Sequence, residues 1–152
     1  MLLAVVLTAV LGGGEMGAPP GSLEGRPPSV PSSPLQARVD AAAPGNTVVV
    51  GPGTYVGDLI LDRPIRLVGT GRPRLVGTGQ GSVVRIRAAG VTLEGFDIDG
   101  IGGGNLGRDS SGIHVAGTDA VIRDCRIENS LFGVYLREAD GATVEGCRIR
   151  GR

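Results

Sequence analysis

The sequence contains no tryptophan and no lysine, and only two phenylalanines, two tyrosines, two cysteines and one histidine. So little aromatic bulk is unusual for the core of an ordinary globular domain of 152 residues. It also leaves few flat ring platforms for stacking against sugars, with Tyr135 the ring available on one flank. Neither positive nor negative charge is in excess. Fifteen basic residues, all arginine, balance fifteen acidic ones to a formal net charge of +0. That balance gives no electrostatic reason to expect nucleic acid or an anionic membrane surface as partner. The absence of lysine reads as coding bias, since no arginine cluster stands out along the chain. No apolar run reaches the about 20 residues a membrane span requires. The run Leu2 to Leu11 is half that and fits the h-region of a secretory leader.

What is abundant is glycine, at 28 residues, and it punctuates a repeat. Val84-Arg85-Ile86-Arg87 aligns with Ile113-His114-Val115-Ala116 and with Val134-Tyr135-Leu136-Arg137. Each is followed by a second alternating stretch: Val91 to Ile98, Ala120 to Ile127 and Ala142 to Ile149. Cys125 and Cys147, equivalent in the last two units, lie 22 residues apart. A period of this size, built of short strands and glycine turns, predicts a solenoid of stacked β-coils. The expected fold is all-β, a right-handed parallel β-helix of about five coils, each with three short strands.

Three regions are expected. Residues 1–14 read as a secretory leader and 15–33 as a Pro/Gly/Ser linker; 34–152 read as the β-helix, incomplete at its C-terminal end. Ser33-Pro34 suits an N-cap and a first-turn proline, with Leu35, Val39 and Ala42 on one face of a short helix that Pro44-Gly45 stops. Such a helix would cover the open end of the first coil. Thr47 to Val50 should be a strand, and Gly51-Pro52-Gly53-Thr54-Tyr55 a turn-rich corner. Chain termination in mid-repeat implies exposed strand edges, hence poor solubility or end-to-end self-association of the isolated chain.

Repeat alignment assigns the faces, because alternate side chains of a strand point opposite ways. The inward columns are Val84/Ile113/Val134, Ile86/Val115/Leu136, Leu93/Ile122/Val144, Phe96/Cys125/Cys147 and Ile98/Ile127/Ile149. The outward columns Glu94/Arg123/Glu145 and Asp97/Arg126/Arg148 read as structural charge ladders. Phe96 to Cys125 spans 29 residues instead of 22, which places an insertion between Asp99 and Ser111. Solenoid insertions emerge as loops on one face, often the binding face. Asn105, Arg108 and Asp109 in that insertion, with His114 and Tyr135 beside it, are the candidate partner-binding residues.

Few residues suggest catalysis. Cys125 and Cys147 form either a disulfide or a pair of buried thiols; a soft two-sulfur ligand set for Cu(I) is a third reading. His114 is a lone imidazole, whereas stable metal sites recruit three or four ligands, so no metal site is assigned. Glycoside cleavage needs two acidic groups on one surface. Asp97 and Asp99 share an outward face, with Glu128 in the Asp99 column, but Arg126 stands over Asp97 and favours a salt bridge. No catalytic residue and no cofactor is evident.

Leu35 to Tyr55, ending Asn46-Thr47-Val48-Val49-Val50-Gly51-Pro52-Gly53-Thr54-Tyr55, resembles the opening of many pectin-lyase-like right-handed β-helix proteins. The stretch Asn129-Ser130-Leu131-Phe132-Gly133-Val134-Tyr135-Leu136-Arg137-Glu138-Ala139-Asp140-Gly141 is similar to the NosD-type maturation proteins of nitrous oxide reductase. The resemblance implies a periplasmic, non-enzymatic scaffold. Its implied partners are an ABC transporter, a copper chaperone and the reductase; copper is implied only through the family, with no ligand set carried over. The rival expectation is a carbohydrate-active or carbohydrate-binding β-helix using the Asp97–Asp99 surface.

Overall fold

A computed structural model describes residues 33–101 and 110–151. The leader and linker expected before Ser33 therefore fall outside the described residues, as do Asn105, Arg108 and Asp109.

The described chain opens with α1 (Pro34–Ala41). Ser33 caps it: its hydroxyl accepts from the Gln36 N–H at 3.1 Å, and Pro34 takes a first-turn position whose missing N–H costs nothing. Leu35 and Val39 are buried. Gln36 finishes the cap over the first coil. Its amide donates to the Ile60 carbonyl at 3.0 Å and accepts from the Ile60 N–H at 2.8 Å. One side chain thus satisfies both backbone groups of a strand edge that has no described coil beneath it.

Three short strands then recur. The first coil holds β1 (Thr47–Val50), β2 (Thr54–Val56) and β3 (Leu59–Leu61). The second holds β4 (Arg66–Gly69), β5 (Arg74–Val76) and β6 (Val84–Ile86). The third holds β7 (Thr92–Glu94), β8 (Asp97–Asp99) and β9 (Ser111–Val115). The fourth holds β10 (Val121–Arg123), β11 (Arg126–Ser130) and β12 (Phe132–Leu136). The strands β13 (Thr143–Glu145) and β14 (Arg148–Gly151) begin a fifth. Every described pairing is parallel and joins equivalent strands of successive coils. Sheet A runs β1-β4-β7-β10-β13, sheet B β2-β5-β8-β11-β14 and sheet C β3-β6-β9-β12. The parallel β-solenoid expected from the repeat is the observed fold.

The registers match the aligned columns. Val84, Ile113 and Val134 pair in sequence, as do Leu93, Ile122 and Val144, and Ile98, Ile127 and Ile149. Burial follows coil number: Ile98 is 1% exposed, Ile127 0% and Ile149 50%, because the last has no described coil above it. Fully burying one such side chain stabilises by roughly 1.5–3 kcal/mol. Phe96, fully buried, fills the corner between sheets A and B; the Phe96 carbonyl accepts from Arg126 and the Cys125 carbonyl from Arg148, both at 2.9 Å.

Two local expectations change. Thr54–Val56 is a strand of sheet B and not part of a corner. Its pairing with Arg74–Val76 supplies the hydrogen bonds that outweigh the turn character of the preceding Gly51-Pro52-Gly53. Asp99 lies in an outward column yet is only 8% exposed, because the chain folds back over it at Ile101 and Asn129.

The A-to-B corners require left-handed backbone. Gly95 (φ +84°), Asp124 (φ +53°) and Gly146 (φ +64°) occupy equivalent places in successive coils. A Cβ on Gly95 would lie 2.5 Å from the Gly69 carbonyl oxygen of the coil below, so glycine is required there for both conformation and space.

Candidate functional site

The outer surface of sheet B presents the carboxylates that an enzyme would need, and arginines occupy them. Asp97 receives Arg72 Nε at 2.9 Å and lies 3.7 Å from Arg126 Nη1. Arg72 also donates to the Asp124 carbonyl at 3.3 Å, so this side chain runs along the stack from the second coil to the fourth. Asp99 is clamped by Arg74, by the Ile101 N–H at 2.8 Å and by the Asn129 amide at 3.1 Å. Burial on its own would push the Asp99 carboxyl up. The hydrogen bonds from Ile101, Asn129 and Arg74, with the Arg74 charge, outweigh it and hold the group below the usual carboxylate range. A carboxylate held ionised by three donors is a poor general acid. On sheet A, Glu94 pairs with Arg66 and Glu145 with Arg123, each at 2.8 Å. In the charge ladders Glu94, Asp97, Arg123, Arg126 and Glu145 enter ion pairs, and Arg148 enters none among the described residues.

The outer surface of sheet C is different. One column runs Ile60, Arg85, His114, Tyr135 through four coils. His114 and Tyr135 meet edge to face, with ring centroids 5.1 Å apart and planes at 86°. Phe132 joins them, 6.1 Å from Tyr135 and tilted by 48°. Arg85, Arg87 and His114 line a hollow of about 110 Å³ with Ile86 and Ala116. Half of the chain's Phe and Tyr residues and its one histidine therefore gather on a single face. His114 and Tyr135 are among the candidates read from the sequence; stacking sets Phe132, Arg85 and Arg87, which were not among them, beside these two. The signal was available in the repeat alignment, where Arg85 and His114 share an outward column, and no aligned acid follows.

Cys125 and Cys147 are free thiols in successive coils, the first buried and the second partly so. Each turns to the coil beneath it: Cys125 Sγ lies 3.9 Å from the Leu93 carbonyl and Cys147 Sγ 3.8 Å from the Ile122 carbonyl. Burial pushes the Cys125 thiol up to about 11. Among the described residues no three His, Cys, Asp or Glu side chains converge on a point that could hold a metal ion. Among the same residues no helix is long and apolar enough to cross a membrane.

No protein-family model matches the chain, and no solved structure matches it significantly. Over 101 residues it is 36% identical to the probable ABC transporter binding protein NosD of Pseudomonas aeruginosa. The match covers 65% of this chain and 23% of that protein, so the chain spans about a quarter of its relative's length. Repeat, solenoid and alignment agree: across about two thirds of its sequence this chain is similar to a NosD-type β-helix protein.

Proposed function

We propose that this chain is an exported, non-enzymatic β-helix scaffold. It presents its flanks to protein partners, an ABC transporter and a copper chaperone among them, during assembly of the copper centre of nitrous oxide reductase. The observation that carries the reading is the 36% identity over 101 residues to a protein named as a probable ABC transporter binding protein. The surface chemistry supports it. Asp97 and Asp99, the carboxylates on which the rival sugar-cleaving reading depends, are both engaged by arginines. In this reading copper is the cargo of the reductase, and no residue of this chain is assigned to hold it.

The test is genetic and chemical. Deleting the coding sequence in its host should yield reductase deficient in copper, restored by the wild-type gene; a reductase with full copper content in the deletion strain would overturn the proposal. Polysaccharide cleavage by the purified protein, abolished in Asp97→Asn or Asp99→Asn, would establish the carbohydrate-active reading instead.

A further inference from the structure

The three sheets divide charge unequally. Sheets A and B place Glu94, Asp97, Asp99, Glu128 and Glu145 on their strands, and four of these five pair with arginine. The strands of sheet C contain no aspartate or glutamate at all. Arg85 within β6, Arg87 directly after it and Arg137 directly after β12 form no ion pair among the described residues. The nearest acid in the Arg87 row, Asp62, lies 3.9 Å from Arg63. Pairing is incomplete on sheet B as well: Arg126 stacks beside Arg148 and Asp99 beside Glu128, and Arg148 and Arg150 form no ion pair among the described residues. What sets sheet C apart is that its unmatched arginines stand with the exposed rings of Phe132 and Tyr135, so that among the described residues this face joins positive charge to apolar surface.

We infer that the outer face of sheet C docks an acidic protein surface, one presenting carboxylates next to an apolar side chain. The inference rests on the scaffold reading above and names the partner chemistry of that scaffold. Arginine and tyrosine are the residue types that most often dominate protein interfaces. Here Arg85 and Arg87 flank a hollow of about 110 Å³, roomy enough for a carboxylate, since a water molecule takes about 30 Å³ in the liquid. Phe132 (42% exposed) and Tyr135 (38%) supply the apolar contact above it. A glycan is the poorer occupant. His114 and Tyr135 cross at 86°, so they form no continuous flat platform against which a sugar ring could lie. Nucleic acid is disfavoured by the zero net charge.

The experiment measures association of the full 152-residue chain with the purified ABC transporter and with the purified reductase at low and high salt. Arg85→Gln/Arg87→Gln and Tyr135→Ala are compared with a control on sheet B, Arg148→Gln/Arg150→Gln, after circular dichroism shows that each variant is folded. Sheet C variants are expected to bind at least about tenfold more weakly, with the arginine pair also losing most of the salt dependence, and the control to stay within about twofold of wild type. Equal binding by sheet C variants and wild type, or an equal loss in the control, overturns the sheet C face while leaving the scaffold reading intact. Failure of the wild-type chain to bind either probe overturns the scaffold reading and this surface with it. Binding of polygalacturonate, lost in the same sheet C variants, would replace the acidic protein with an acidic glycan.

Discussion

Arg72 in the second coil grips Asp97 in the third at 2.9 Å and extends to the Asp124 carbonyl in the fourth at 3.3 Å. Neighbouring coils are already joined by backbone ladders, but a side chain that ties three levels together also resists slippage between them. Both partners are partly exposed, at 40% and 30%, so water screens the pair. Arg72→Ala should therefore lower unfolding free energy by only about 0.5–1 kcal/mol, measured by urea denaturation. High salt should shrink the difference between variant and wild type. A loss several times larger, insensitive to salt, would mean that Arg72 acts through packing and not through Asp97.

Asp99 should make stability depend on acid. Its folded-state affinity for protons is depressed below the ordinary value of 3.8 by Ile101, Asn129 and Arg74, despite burial acting in the opposite direction. A depressed carboxylate contributes stability that is fully present above the unfolded-state value. That contribution is lost as pH falls through the folded-state value, which here lies below 3.8. Asp99→Asn keeps the shape and removes the titration. At neutral pH it should cost about 1–3 kcal/mol, since Arg74 loses its charged partner. The gap between variant and wild type should close as pH falls below 3.8. A constant gap across that range would show that the clamp does not favour the ionised form.

Glycine requirements at the corners are unequal, and the structure ranks them. Gly95 combines φ +84° with a Cβ position 2.5 Å from a backbone oxygen, whereas Gly51 has nothing within 4 Å and no left-handed backbone. Gly95→Ala should destabilise by about 2 kcal/mol or more, and Gly51→Ala by less than about 1 kcal/mol. Thermal unfolding of the two variants side by side checks this; similar melting temperatures would contradict the corner geometry.

The repeat made the fold legible because each coil states the same pattern again. Val84, Ile113 and Val134 need no coordinates to be recognised as one column, and the register places them so. Ser33 was equally readable, since a cap and its proline are local chemistry. What stayed hidden depended on contacts between levels. Asp99 looks like any outward acid until Asn129, thirty residues on, closes over it. The arginines of sheet C look scattered along the chain, and they become a face only when equivalent strands are stacked. Thr54–Val56 is short and follows Gly-Pro-Gly, so the turn signal hid three β-favouring residues until their pairing with Arg74–Val76 was seen.

The two thiols should respond very differently to an alkylating reagent. Cys125 is 1% exposed, with its Sγ 3.3 Å from the Arg123 carbonyl, and burial pushes the thiol up to about 11. At about pH 8 roughly one molecule in a thousand then carries the reactive thiolate there, and the coil walls block the reagent as well. Cys147 belongs to the coil above and remains partly open. Iodoacetamide applied to the native protein should modify Cys147 and spare Cys125, while the same treatment in urea should modify both, read by mass spectrometry of the peptides. Raising the pH should leave Cys125 protected in the native protein, because its protection comes first from its place in the core and only second from protonation. Equal rates at the two positions in the native protein would place Cys125 outside the stack and undo the corner column it shares with Phe96.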